Sequence, residues 1–203
     1  MKKAPGRPRK FNEDEVLQLA TKVFLKEGFE ASSYESISEA MGLSKPSLYN
    51  AFGDKQALFK RVIADYSLQA HEQIVEQFSG AGTLQAACQK MLQAAAMFYS
   101  TPDGPSVGCL LVGTALPATS QYDEIRETLI DFTNRLETSL EQIISEEYYE
   151  DAVALEQQPK NIARHISSLL FALAVRSRMG LSREELNQTA LELAEFICLH
   201  RSR

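Results

Sequence analysis

Residues 31–59 read ASSYESISEAMGLSKPSLYNAFGDKQALF, and the punctuation of this stretch decides the fold. Ser32, with Glu35 three residues on, fits a capping box at a helix start. A short helix then turns Ile37, Ala40 and Met41 inward. Gly42 breaks it, at a position suited to a left-handed backbone. Ser44 can cap the next helix, and Pro46 falls in that helix's first turn, where a missing N–H costs nothing. Leu48 and Phe52, four apart, pack inward. Two short helices joined by a tight turn containing glycine make a helix-turn-helix, and small polar residues opening the second helix suit the base edges of a major groove.

Working outward, Asn12 can cap a preceding helix with Glu13, Asp14 and Glu15 in its first turn, where the helix dipole favours acids. Val16, Leu19, Ala20, Val23 and Phe24 form its apolar face, and Gly28 ends it. On the other side a long helix is expected over residues 55–78. SGAGT (79–83) reads as a linker, 84–99 as a fifth helix and TPDGPS (101–106) as a turn. Residues 107–116 are nearly all apolar and read as a buried helix, with a loop over 117–120. An amphipathic helix follows over about 122–149. Pro159 opens another to Met179, and Ser182 with Glu185 caps the last. No segment shows convincing period-2 alternation, so the chain is expected to be all-α.

Charge divides the chain. The whole carries a formal net charge of -6, yet residues 1–61 sum to +3 and the remainder to -9. A basic head is drawn to phosphate while an acidic body is repelled by it. Residues 1–10 hold Lys2, Lys3, Arg7, Arg9 and Lys10 and no acid. No apolar run approaches the ~20 residues of a membrane span, and no apolar segment follows the basic start as in a secretory signal. A cytoplasmic protein without membrane partners is expected. Cys88, Cys109 and Cys198 are far apart in sequence and lack CxxC spacing, and His71, His165 and His200 are scattered. Neither a disulfide framework nor a metal centre is expected, and no cofactor. A nucleophile elbow, a phosphate loop and a metal-protease motif are all missing, which argues against an enzyme.

Residues 11–59 resemble the TetR family of bacterial one-component transcriptional regulators. The resemblance is carried by Phe24, Gly28, Phe29, Ile37, Gly42, Leu43, Ser44, Lys45, Leu48, Tyr49, Phe52, Lys55, Leu58 and Phe59. The segment GCLLVGTA (108–115) looks like one found in many members. The resemblance implies three parts: a flexible basic arm (1–10), a three-helix DNA-binding domain (11–54), and a larger helical domain (55–203) for ligand binding and dimerisation. It implies a dimer on double-stranded DNA and a small-molecule effector. Carried over by position, Ser32, Ser33, Lys45, Ser47, Tyr49 and Lys55 are the expected DNA contacts. Pro46 stands where glycine is frequent, and Ser32 where threonine is usual.

The residues read independently toward the same surface. Lys45 and Ser47 lie at a helix N-terminus, where N–H groups and dipole favour phosphate. Tyr49, one turn on, can offer its hydroxyl to phosphate and its ring to a thymine methyl, and Asn50 can read adenine if it faces the groove. Gly6-Arg7-Pro8 resembles the core of an AT-hook, so Arg7 and Arg9 are expected at a narrow A·T minor groove or its phosphates. In the body, Met91, Met97, Phe98, Tyr99, Cys109, Phe132 and Phe171 are candidates for a pocket lining. Cys109 is either a sensing thiol or a buried inert one, and low-pKa thiolates need cationic neighbours that its sequence context lacks. Ile166, Leu170, Leu173, Leu186, Leu193 and Ile197 are expected at a four-helix dimer interface built from the last two helices.

Overall fold

The computed structural model describes residues 12–101 and 108–198, so Arg7, Arg9 and most of the turn expected at 101–106 lie outside the described residues. Among the described residues there are helices and no strands.

The head is built from α1 (Glu13–Glu27), α2 (Tyr34–Ala40) and α3 (Lys45–Phe52). Asn12 caps α1 by accepting from the Asp14 amide at 3.1 Å. Gly42 takes φ +62, and the Leu43 amide reaches the Ser38 carbonyl at 3.0 Å, which closes the turn between α2 and α3. Ser44 caps α3. Leu48 and Phe52 are buried with Ile37, Val16 and Ala20 in one small core.

Two local expectations change. The cap of α2 is Ser33 rather than Ser32, and its box partner is Ser36 rather than Glu35: Ser33 Oγ accepts from the Ser36 amide at 3.0 Å, and Ser36 Oγ from the Ser33 amide at 3.1 Å. Ser32 is instead buried and donates to the Phe29 carbonyl at 2.9 Å. Contrary to the expected inward face, Ser38 is buried and Ala40 exposed, while Ile37 and Met41 point inward.

The body begins with α4 (Lys55–Ile74), which ends in a tighter 3-10 turn over Val75–Phe78. It continues with α5 (Leu84–Phe98), a π-helical turn (Leu111–Ala115) running into the short α6 (Leu116–Ala118), α7 (Asp123–Glu147), α8 (Tyr149–Ala154), α9 (Pro159–Arg178) and α10 (Arg183–Cys198). Within the apolar run expected as a helix over 107–116, Leu111–Ala115 is wound as a π turn, and Pro117 lies within a helix rather than a loop. Pro117 tolerates that place because it stands near the start of α6, where its N–H is not needed. The helix expected to reach Tyr149 stops at Glu147, and a separate α8 follows.

The winding at 108–115 has a cause in packing. Gly108 has φ +74, and a Cβ there would lie 3.2 Å from both the Ala174 carbonyl oxygen and Arg178 Cβ. Its amide donates to Ser177 Oγ at 3.1 Å and to the Tyr99 carbonyl at 3.1 Å. The backbone here touches α9 directly, which only glycine permits.

α5 packs chiefly on α10, and α7 on α9. These contacts absorb the strongest apolar stripes of the last two helices. Ile166, Leu170, Leu173, Leu186 and Ile197, expected at a subunit interface, are buried within the single chain, and Leu193 is half-buried. Among the large apolar side chains left exposed on or beside α9 and α10 are Val175, Met179 and Phe196.

Candidate nucleic-acid interface and regulatory cavity

The start of α3 and the start of α2 present one polar surface. Ser33, Glu35, Ser44, Lys45, Pro46, Ser47, Tyr49 and Asn50 are all exposed. The Ser44 and Ser47 hydroxyls share a hydrogen bond at 2.8 Å, and Ser44 Oγ accepts from the Ser47 amide at 3.3 Å. Tyr49 stands out from α3, 61% exposed, with its ring edge-on to that of Tyr34, centroids 6.5 Å apart. The Tyr34 hydroxyl donates to the Gly53 carbonyl and so ties α2 to the end of α3. Burial, with Asp54 nearby, pushes the Tyr34 phenol up and keeps it a neutral donor.

Lys45 Nζ sits 2.8 Å from Glu35 Oε1 across this surface. The hydrogen bond from Lys45, and then its charge, hold the Glu35 carboxyl below its ordinary range. Both side chains are more than half exposed, so the pair adds little to stability. Its weight is local: it neutralises the one cation at the head of α3.

Two expected contacts are engaged inside the protein. The Ser32 hydroxyl is buried in its bond to Phe29. Lys55 Nζ donates to the carbonyls of Phe29 at 2.8 Å, Ser32 at 3.0 Å and Glu30 at 3.4 Å, and lies 4.6 Å above the Phe29 ring. Its ammonium clamps the turn that follows α1. Spacing in the sequence placed Lys55 only at a helix start; the carbonyls it binds lie 23–26 residues away.

The head joins the body through more than α4. The Thr114 hydroxyl, in the π turn, donates to the Phe24 carbonyl at 3.1 Å, and Arg178 of α9 donates to the Leu25 carbonyl at 2.6 Å. These are last-turn carbonyls of α1, where donors are welcome. Phe24, Phe29 and Phe59 form an aromatic cluster with centroids 4.7 Å apart for each pair with Phe59, and Tyr122 meets Phe29 edge-on at 5.1 Å. Lys60 on α4 pairs with Glu124 on α7 at 2.6 Å. Tyr34, Thr114 and Tyr122 were not singled out from the sequence, and Glu35 only as a capping partner, because each acts through a partner more distant along the chain.

Inside the body a cavity of about 500 Å³ opens between α4, α7 and α9. Tyr99, Cys109, Phe132 and Phe171 line it, together with Ile63, Tyr66, Leu111, Leu136, Leu170, His71 and Arg135. Met91, Met97 and Phe98 do not. Met91 is packed in the core, Met97 is exposed, and Phe98 lies against the Tyr66 ring at 5.2 Å. Tyr66, Tyr99 and Cys109 meet at the deep end. The buried Tyr66 hydroxyl has no hydrogen bond of ordinary geometry, its neighbours being the Cys109 thiol and the Leu110 backbone. Burial pushes both phenols and the Cys109 thiol upward, which keeps all three neutral. A second, more open groove of about 950 Å³ runs along Leu116, Ile130, Val175 and Met179.

Residues 16–62 match the family model described as bacterial regulatory proteins, tetR family. The chain is 26% identical to the HTH-type transcriptional repressor ComR of Escherichia coli (strain K12), over 94% of this chain and 90% of the relative. It is also 26% identical to the HTH-type transcriptional repressor BdcR of the same organism, over 96% and 93%. Among solved structures, a cysteine mutant of the TetR family transcriptional regulator CifR, complexed with 26-base-pair double-strand operator DNA, superposes with a TM-score of 0.81. That pair is 27% identical over 93% of this chain and 98% of the other. SCO4454 from Streptomyces coelicolor, at 14% identity and a TM-score of 0.75 over 93% and 94%, shares the fold.

Proposed function

We propose that the chain is a member of the tetR family of bacterial regulatory proteins and acts as a dimeric repressor whose grip on a pseudo-palindromic operator is released by a small molecule. The observation that carries the reading is the exposed opening of α3. Lys45, Ser47, Tyr49 and Asn50 share one unobstructed polar surface above a packed helix-turn-helix, and the similar CifR chain is complexed with operator DNA.

In this reading Lys45 exchanges Glu35 for a phosphate, Tyr49 reaches base edges or phosphate, and Ser33 and Ser47 fix register. Ser32 and Lys55 contribute by holding the head in shape. Arg7 and Arg9 add a minor-groove contact in front of it. A second copy of the chain covers apolar side chains that α9 and α10 leave bare, with Met179 and Phe196, 75% and 62% exposed, among its anchors. Two-fold symmetry then sets paired recognition helices ~34–36 Å apart or at a multiple of that turn.

The effector reading rests on the 500 Å³ cavity, a size typical of small-molecule sites. Its walls are mostly apolar, with His71 and Arg135 among them, and its deep end offers neutral phenol and thiol donors. A small apolar or amphipathic molecule with a neutral acceptor oxygen fits that lining. The cavity wall includes Leu111 of the π turn, whose Thr114 holds α1, and Ile63 and Tyr66 of α4, whose first residue clamps the head. A ligand that prefers a different spacing of these elements weakens DNA binding in proportion to that preference. The cavity favours this reading over a regulator without ligand. The upward-shifted, buried Cys109 thiol argues against a thiolate sensor at that position.

The test is binding to labelled DNA from upstream of the protein's own gene, with excess competitor, across a salt series, and with selection from random DNA in parallel. Saturable, competitor-resistant binding to a two-fold site supports the proposal. Only salt-sensitive, sequence-independent binding in both assays refutes it.

A further inference from the structure

We propose that Cys88 and Cys198 form a dithiol that peroxides oxidise to a disulfide, joining α5 to α10 at a site separate from the regulatory cavity and the DNA surface.

The two cysteines are 110 positions apart in sequence, and the antiparallel packing of α5 on α10 brings them together. Hydrogen bonds fix the register along the pair. Arg183 donates to Ser100 Oγ at 2.9 Å, and Gln93 donates to Asn187 at 3.1 Å. Continuing along both helices leaves the last residue of α10 opposite the first turns of α5, so that Cys198 packs against the core beside the buried Cys88. Both are free thiols; Cys88 is buried and Cys198 is partly open. The pair is thus arranged with one thiol that solvent reaches and one that waits behind it.

The same contact divides the chemistry. Donation from Cys88 favours the Cys198 thiolate and lowers its pKa, although the Asp151 carboxylate works against this, while the donor thiol of Cys88 is raised. Cys198, the thiol that solvent reaches, is therefore the group that meets oxidant. Its thiolate attacks one oxygen of a hydroperoxide; the O–O bond breaks, Cys198 becomes a sulfenic acid, and the leaving oxygen takes up a proton. The Cys88 sulfur then attacks the Cys198 sulfur. The S–S bond forms, the S–O bond breaks, and the departing hydroxide leaves as water with the Cys88 proton. Two thiols lose two electrons, and one peroxide gains them.

The place is held in shape from several sides. Tyr148, beside Cys88, donates to the Phe78 carbonyl at 2.7 Å and accepts from the Ala81 amide at 3.1 Å, and Asp151 accepts from the Leu84 amide at 2.6 Å. Cys198 lies two residues beyond Phe196, about 200° around the helix. A second copy seated on Phe196 therefore leaves Cys198 reachable.

The test uses the full chain, reduced, freed of reductant and treated with stoichiometric hydrogen peroxide. Intact mass and a non-reducing peptide map are read. The expected result is a mass lower by two hydrogens, a linked pair of peptides carrying Cys88 and Cys198, and reversal by dithiothreitol. Cys198→Ser removes the hydrogen loss, and Cys88→Ser leaves a sulfenic acid on Cys198 that dimedone traps. Oxygen addition at Cys198 without linkage to Cys88, a cross-link between two chains, or unchanged thiols overturns the proposal. The map of the unsubstituted chain decides the question even if Cys88→Ser fails to fold.

Discussion

Thr114 and Phe24, 90 residues apart, are joined by a hydrogen bond from the threonine hydroxyl to the phenylalanine carbonyl at 3.1 Å, buried at the seam between head and body. The hydroxyl sits in the π turn that walls the cavity, and the carbonyl belongs to the last turn of the first helix of the DNA-binding head. Replacing Thr114 by Val keeps the shape and removes the bond. Stability in urea should fall by about 0.5–1.5 kcal/mol. If the seam carries the effector signal, the ratio of operator affinities without and with effector should also shrink, and an unchanged ratio assigns the signal to α4 alone.

The Lys45–Glu35 pair gives a second prediction. Glu35→Gln frees Lys45 for phosphate and removes a negative charge from the DNA-facing surface. Operator binding should tighten several-fold, while the slope of log affinity against log salt should change little, because Lys45 meets the same phosphate in both proteins. Thermal stability should change little, because exposed pairs contribute about 0–1 kcal/mol.

Lys55 should behave in the opposite way. Lys55→Met strips the donor from the carbonyls of Phe29, Glu30 and Ser32. A loss of about 1–3 kcal/mol is expected, together with weakened operator binding whose salt slope is preserved. A slope shallower by about 0.9 would mark Lys55 as a phosphate contact instead.

Gly108→Ala meets two penalties at once, a positive φ and contacts at 3.2 Å with α9. Destabilisation of about 1–3 kcal/mol is expected by thermal or urea unfolding.

Acid should loosen the body at a definite place. Glu147 accepts from the Gly80 amide at 2.7 Å, and this bond holds its carboxyl below the ordinary range. A depressed carboxyl stabilises the fold above its unfolded pKa of about 4.3 and loses that contribution as pH falls through its lower folded value. Glu147→Ala should therefore flatten the acid limb of a stability–pH curve below about pH 4.3 while leaving its neutral limb parallel to that of the parent.

The head was legible because its signals are local. Asn12, Gly42, Ser44 and the Leu48–Phe52 pair each act on residues within a turn of themselves, and each stands where the sequence puts it. The error at α2 shows the limit of that logic. Ser32 and Ser33 are adjacent equivalents, and only the bond from Ser32 to Phe29 decides which one caps. Lys55 stands on the expected helix, but the carbonyls it binds were not foreseeable, since they come from a different part of the chain. The dimer-facing residues failed for another reason. The most apolar stripes of α9 and α10 were assigned to a partner, yet α5 and α7 of the same chain occupy them. Periodicity finds a face to bury and does not say which neighbour buries it.

The clamp from Lys55 has a consequence for how such regulators exchange parts. A recombination junction placed between Asp54 and Lys55 looks neutral, because it falls between two helices. It would nonetheless separate the turn after α1 from its ammonium, and the Phe24 and Phe29 rings from Phe59. The heritable cassette therefore runs at least through Phe59, and chimeras joined before it inherit a recognition helix without the residues that hold its neighbours still.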